Sequence, residues 1–236
     1  MKGVRFQGLR DVGDPVELGA AYSDRGADEL VFLDVKATLE ERETLVGVVR
    51  RVAEQLAIPF TVGGGIRSLA DADALLSAGA DKISVNSAAL ATPSLIGELA
   101  ARLGSQAVVV AIDTEGGRVH TRAGTTDTAR DTVEWAREAE QRGAGEILLT
   151  AIDADGTRAG YDLEITRAVS DAVSVPVIAS GGAGELEHLA QALAAGADAV
   201  LCASIFHYGH HTIAEVKRYL ANAGIAVREV TQTKTI

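Results

Sequence analysis

Residues 26–88 recur without a gap at residues 143–205, at a constant offset of 117 positions and with sixteen identities among 63 aligned pairs. Gly26-Ala27 and Glu29 fall on Gly143-Ala144 and Glu146, and Pro59 falls on Pro176. Gly64-Gly65 fall on Gly181-Gly182, and Gly79-Ala80-Asp81 on Gly196-Ala197-Asp198. A long fixed period restricts a chain to an architecture of like units, because each unit buries its apolar face against the next. The same offset asks for a counterpart to the strand-like run 108–113, and that counterpart falls before Met1. The expectation is a symmetric fold whose first half lacks its opening strand.

Seven short β-branched runs (29–34, 58–63, 82–86, 107–113, 146–151, 175–180 and 199–203) alternate with helical stretches such as 45–55, 69–78, 132–142 and 186–195. That alternation is the pattern of parallel βαβ units. Near-continuous apolar strands suit a parallel sheet covered on its outer face. The reading is therefore α/β, a (β/α)8 TIM-barrel type built from two half-barrel repeats, with the first strand missing and seven evident βα units. No linker or low-complexity stretch divides residues 1–236, so a single domain is expected. The tail 225–236, rich in Val, Thr and Ile, follows a helix at 212–222 and is a candidate to fill the vacant slot, since a right-handed crossover would deliver it there. An edge left unfilled invites pairing with a second copy, which makes a homodimer an expectation.

A formal net charge of −11 argues against a nucleic-acid partner, whose affinity depends on clustered Lys and Arg. It leaves room for a phosphorylated metabolite, since backbone N–H groups at helix N-termini hold phosphate without side-chain charge. No uninterrupted apolar stretch approaches membrane-spanning length, and residues 1–11 lack the apolar run of a signal peptide. The single cysteine, Cys202, fits a reducing compartment. A cytoplasmic chain without membrane partners is expected.

The strongest local signals are two repeat-related glycine clusters. Val62-Gly63-Gly64-Gly65 and Asn86-Ser87 end successive strands, and Ser180-Gly181-Gly182-Ala183-Gly184 and Ala203-Ser204 are their mates. Glycine lets a backbone approach an anion, and barrel ligands sit at the C-terminal strand ends. Two such clusters predict an elongated ligand with phosphate at both ends; tight turns alone are the competing explanation. Carboxylates also end strands: Asp34, Asp113, and after the fifth run Asp153 and Asp155. Asp113 is the best acid–base candidate, because its strand is the mate of the missing one. Glu29, Lys82 and Glu146 begin strands and should ring the opposite mouth. The five histidines form no metal cluster, and a satisfied or solvated ring is expected for His120, His188 and His207. No cofactor or metal site is expected.

These residues resemble the cyclase subunit of imidazole glycerol phosphate synthase, from histidine biosynthesis. The resemblance runs from Lys2 to about Arg228 and is carried by GVRFQGLRDVGDP (3–15), DELVFLD (28–34), TVGGGIR (61–67), GADKISVNSA (79–88), GSQAVVVAID (104–113), GAGEILLT (143–150), DGTRAGYD (155–162) and IASGGAG (178–184). It implies a lyase that closes an imidazole ring from a bisphosphate ribonucleotide and ammonia, releasing an aminoimidazole carboxamide ribotide. The ammonia would come from a glutaminase partner. By position, Gly64, Gly65, Asn86 and Ser87 would hold one phosphate, and Asp155, Gly156, Gly181, Gly182 and Ser204 the other. Asp113 matches a catalytic aspartate, Thr150 and Asp34 match substrate-contacting positions, and Glu29, Lys82 and Glu146 match a charged ammonia gate.

The chain departs from that family at Lys36, where a small hydroxyl residue is usual, and in the shortened segment 114–129. The family's other catalytic aspartate lies on the strand that would precede Met1, so weak or lost turnover is expected. The alternative is a non-catalytic bisphosphate-binding barrel: a truncated, engineered or decayed relative, or a chain whose natural start lies upstream.

Overall fold

Most strands here are only about four residues of branched and aliphatic side chains, and each is followed by a helix that returns the chain to the starting end, which makes their pairing parallel. The computed structural model describes residues 2–4, 7–10, 13–34 and 46–230. A hairpin of β1 (Lys2–Val4) and β2 (Gln7–Arg10) precedes α1 (Pro15–Asp24) and β3 (Leu30–Leu33). Then come α2 (Val46–Ala53), β4 (Phe60–Gly63), α3 (Leu69–Ser77), β5 (Lys82–Val85), α4 (Ser87–Ala91) and α5 (Ser94–Leu103). A single turn of 3-10 helix (Ser105–Ala107) leads into β6 (Val108–Glu115), which continues through β7 (Arg118–Thr121) and β8 (Thr126–Asp131) to α6 (Thr132–Gln141). The chain finishes with β9 (Glu146–Ala151), α7 (Leu163–Ser170), β10 (Val177–Ser180), α8 (Leu186–Ala194), β11 (Ala199–Leu201), α9 (Ser204–His207) and α10 (Ile213–Asn222).

The strand order β11-β10-β9-β6-β5-β4-β3 is parallel throughout. The result is a TIM-barrel-like α/β fold with a seven-stranded half-barrel. All seven expected strands form, within two residues of their expected ends. Helix starts are set by side-chain caps: Asp14, Asp131 and Asp162 accept from backbone N–H groups at the heads of α1, α6 and α7, and Thr212 with Glu215 forms a capping box on α10. Each such cap is worth about 1 kcal/mol.

The repeat appears in hydrogen bonds as well as letters. Phe60 N–H donates to the Asp81 carboxylate at 2.8 Å, and 117 residues on Val177 N–H donates to Asp198 at 2.9 Å. Leu30 N–H to Pro59 O and Ile147 N–H to Pro176 O are both 2.9 Å. The larger apolar cluster packs Trp135, Phe60, Ile83, Leu99 and Ile112 between sheet and helices, and a smaller one gathers Leu189, Ile205, Val216 and Leu220 under the last units.

Two features of the segment 114–131 and the tail differ from simple expectation. The shortened segment 114–129 lies within an antiparallel extension of β6 through β7 and β8. Among the described residues, β3 pairs only with β4 and β11 only with β10. Residues 225–230 run as coil with no ladder, and 231–236 lie outside the described residues. Arg228 explains the path: its Nε donates to Asp28 at 2.7 Å and its Nη2 to the carbonyls of Ala27 at 2.6 Å and Gly26 at 3.3 Å. The carbonyls just ahead of β3 are thus satisfied by a guanidinium instead of a strand. Lys217 of α10 reaches the same Asp28 carboxylate at 2.7 Å, and the Tyr22 hydroxyl of α1 meets His207 Nδ1 at 2.6 Å. These side chains tie the first and last units together. No helix among the described residues is long and apolar enough to cross a membrane.

Candidate active site

The glycine pairs follow β4 and β10 directly, and both are required by close backbone approach. Gly64 has φ +94°, and a Cβ there would lie 2.3 Å from the Asp34 carbonyl oxygen. Its mate Gly181 has φ +91°, and a Cβ would lie 2.6 Å from the carbonyl oxygen of Ala151, the residue 117 positions after Asp34. Any side chain would force the strand ends apart, so glycine here shapes two like cradles four strand positions apart. Gly65 adjoins the first, while Gly156 and the buried Asp155 come from the loop after β9. Ser204 opens α9 after β11, as Ser87 opens α4 after β5.

An open cavity of about 130 Å³ lies at the first cradle, lined by Gly64, Gly65, Asn86, Ser87, Asp113 and Thr150 among others. Asp113, on β6, is 8% exposed, and Asn86 donates an amide N–H to its Oδ2 at 2.9 Å. Burial, reinforced by the charge of Asp155 and opposed by the Asn86 hydrogen bond, pushes the Asp113 carboxyl up to about 7. A carboxyl poised there can hold or take a proton near neutral pH. Thr150 sits opposite it in the β6–β9 register and is 5% exposed. Asp34 follows β3, is 8% exposed, and donates its backbone N–H to Gly63 O at 2.8 Å. The structure thus gathers most residues singled out for the first cradle; at the second, Gly181 lies against the backbone of Ala151 and Asp155, with Gly156 next in that loop and Ser204 at the start of α9 after β11. Lys36 and the side chain of Lys2 lie outside the described residues.

At the N-terminal ends of the strands, Lys82 Nζ sits 3.1 Å from Glu29 Oε2 and 2.5 Å from Glu146 Oε1. Burial alone would lower the ammonium's pKa, but hydrogen bonds and charge from Glu146 and Glu29 outweigh it and hold it above the ordinary value. The three residues form one ion cluster at the mouth opposite the cavity. Among the described residues no group of three or more His, Cys, Asp or Glu side chains could hold a metal ion.

Two groups near the site escape a linear reading of the sequence. The β7–β8 hairpin brings Ala123 into the cavity wall and lets Arg122 N–H donate to Ser87 Oγ at 3.2 Å. The expectation of a satisfied or solvated His120 does not hold: its ring is 7% exposed, on the strand paired to Asp113, with a buried Nδ1 that has no hydrogen-bond partner. Gly116-Gly117 marks only the turn from β6 into β7, since paired glycines favour tight strand connections, and nothing comparable marks the β7–β8 turn. Near the second cradle, Tyr161 O–H donates to Leu201 O at 3.1 Å and lies 3.2 Å from Cys202 Sγ. Burial pushes that thiol up to about 11 against the lowering effect of the tyrosine, which leaves it a poor nucleophile.

Fold and site together define a TIM-barrel-like α/β protein with repeat-related glycine cradles and a neutral-range carboxyl at the C-terminal strand ends. A family model described as "Histidine biosynthesis protein" matches residues 1–212. The chain belongs to this family, an enzymatic one of isomerase- and cyclase-type barrels in histidine biosynthesis.

Proposed function

We propose that this chain is a cyclase of that family: it closes an imidazole ring from a bisphosphate ribonucleotide and ammonia, with release of an aminoimidazole carboxamide ribotide. The observation that carries the reading is Asp113, buried between strands that end in the glycine cradles and poised to exchange a proton near pH 7. In this reading the cradle of Gly64, Gly65, Asn86 and Ser87 takes one phosphate, and Asp155, Gly156, Gly181, Gly182 and Ser204 take the other. Asn86 orients the Asp113 carboxyl, and Thr150 and Asp34 contact the substrate between the two ends. The cluster of Glu29, Lys82 and Glu146 lies at the far end of the same strands, where ammonia from a glutaminase partner would enter.

The test is single-turnover conversion of the bisphosphate ribonucleotide with excess protein and saturating ammonium. The expected result is ammonium-dependent product, abolished by Asp113→Asn with ligand binding retained. Turnover independent of ammonium would favour the isomerase branch of the family. Ligand-induced thermal stabilisation without product would favour a non-catalytic bisphosphate-binding barrel; at a hundredfold excess over Kd that stabilisation is about 2.7 kcal/mol.

A further inference from the structure

The pairing registers place four side chains in one row across four strands: Thr150 of β9, Asp113 of β6, His120 of β7 and Asp127 of β8. Residues directly opposite across neighbouring strands project to the same face, with Cβ atoms about 5 Å apart in an antiparallel pair. Thr150 and Asp113 line the cavity, and His120 follows them on the same face of the sheet, on the next strand and beyond the cavity lining. The neighbouring positions agree, because Val119 and Ile112 point the other way into the helix-covered core.

His120 is 7% exposed, and its Nδ1 is buried with no hydrogen-bond partner. An unpaired buried polar atom costs about 1–3 kcal/mol, a cost that calls for an explanation. Its other nitrogen, Nε2, lies 3.8 Å from Glu115 Oε2, and the Glu115 side chain is 42% exposed. The imidazole therefore spans from the buried side of the site to a carboxylate in contact with solvent. The charged groups on its face are Asp113 and Glu115 from β6, Arg118 from its own strand, and Asp127 from β8. The last two engage each other at 2.9 Å.

We propose that His120 is a proton relay for the site, carrying protons between Asp113 and solvent by way of Glu115. The inference rests on Asp113 being the acid–base group of the proposed reaction. When Asp113 has taken a proton from substrate, its side chain turns toward His120 or bridges to it through one water; its O–H bond breaks and a bond to Nδ1, unpartnered at rest, forms. The Nε2–H bond then breaks, and that proton passes to the Glu115 carboxylate and on to water. Rotation of the neutral ring, or passage in the reverse direction, restores the starting tautomer. Imidazole suits this task because it accepts at one nitrogen while donating at the other. His120 touches no reacting atom and is a positioning residue that also moves a proton.

Two measurements test the relay. In the first, His120→Gln and His120→Ala, the latter leaving a void that free imidazole can enter, are assayed for ammonium-dependent turnover. Expected are a kcat lowered roughly tenfold or more, a nearly unchanged KM, and recovery of rate when free imidazole is added. Wild-type kcat in His120→Gln, or a loss that imidazole fails to restore, overturns the proposal. The second is independent of any turnover: nitrogen-detected NMR titration of the His120 ring in the full chain, with and without Asp113→Asn. Coupling predicts that the midpoint and the tautomer balance change when Asp113 loses its charge. An unchanged titration overturns the relay even if the cyclase activity stands, and a changed one upholds the coupling even if the substrate is a different bisphosphate.

Discussion

Replacing Asp113 with asparagine removes a carboxyl that the fold keeps protonated up to about pH 7, against 3.8 for the ordinary side chain. Between those values the unfolded chain has released this proton and the native chain has not. The folded state therefore gains nothing from the group's ionisation while the unfolded state does, and stability falls with rising pH across that window. The group's effect is most favourable below 3.8, declines from 3.8 to about 7, and is constant above. At about 1.4 kcal/mol per unit, the loss reaches roughly 4 kcal/mol at alkaline pH, and about 2.7 kcal/mol of it falls between about pH 5 and 8.5. The amide substitute fills nearly the same volume, and its oxygen can accept the same N–H from Asn86. Asp113→Asn should therefore be more stable than the parent at about pH 8.5, with the gap narrowing by about 2.7 kcal/mol on going to about pH 5. Urea unfolding of both proteins at several pH values measures this, and titrating groups not coupled to Asp113 cancel in the difference. A gap that stays flat with pH would show that Asp113 ionises like an exposed aspartate, and the argument for a neutral-range acid at this site would fail.

Other perturbations test separate parts of the structure. Asp28→Ala strands the buried Lys217 ammonium and frees Arg228 from its anchor; after discounting for the exposure of Asp28, the expected cost is about 1–3 kcal/mol by chemical denaturation. Gly182→Ala places a Cβ 1.9 Å from the Gly160 carbonyl oxygen, so it should destabilise by more than the roughly 1–2 kcal/mol of a left-handed residue alone. Gly116→Ala, at φ +58° with nothing within 4 Å, is the matched control and should cost about 1 kcal/mol in the same denaturation assay. The Cys202 thiol, shifted from 9.0 to about 11, should react with an aromatic disulfide at about pH 8 about tenfold more slowly in the native chain than in the unfolded one, a roughly hundredfold smaller thiolate fraction being partly offset by its greater nucleophilicity, even before access is counted. Equal rates would contradict its burial against Tyr161.

The seven strands were legible because each is a run of branched residues bounded by Gly, Pro or Asp, and the parallel order follows from the helices between them. The cradles were legible because Gly64-Gly65 and Gly181-Gly182 repeat at one offset, and the backbone contact that demands them repeats too. The hairpin was not legible in the same way. β8 reads Thr-Asp-Thr-Ala-Arg-Asp and is mostly exposed, so it carries little apolar alternation to mark a strand. Missing it hid His120, whose place beside Asp113 is a matter of pairing register. Glu29, Lys82 and Glu146 could be placed at one mouth from their strand-first positions. That Lys82 touches both carboxylates depends on sheet curvature, which no linear spacing encodes.

The duplication and its failures divide the labour of the site. Where the halves agree, at Gly64 and Gly181, Gly65 and Gly182, and Ser87 and Ser204, the conformations are those of the cradles. Where they disagree, the chemistry-bearing side chains appear. Thr150 has Leu33 as its mate, Asn86 has Ala203, and Lys82 has Ala199. Leu33 and Thr150 both line the cavity, so one side of it offers a methyl-rich surface and the other a hydroxyl beside a carboxyl. A ligand with phosphate at both ends, held only by two like cradles, would bind equally well in either direction. Burying a polar group against Leu33 instead of Thr150 forfeits a hydrogen bond, a difference of about 1–3 kcal/mol, or about fivefold to 150-fold in occupancy. For such a ligand that asymmetry would be enough to fix which end faces Asp113, and Thr150→Leu, by restoring the symmetry, should cost orientation more than affinity.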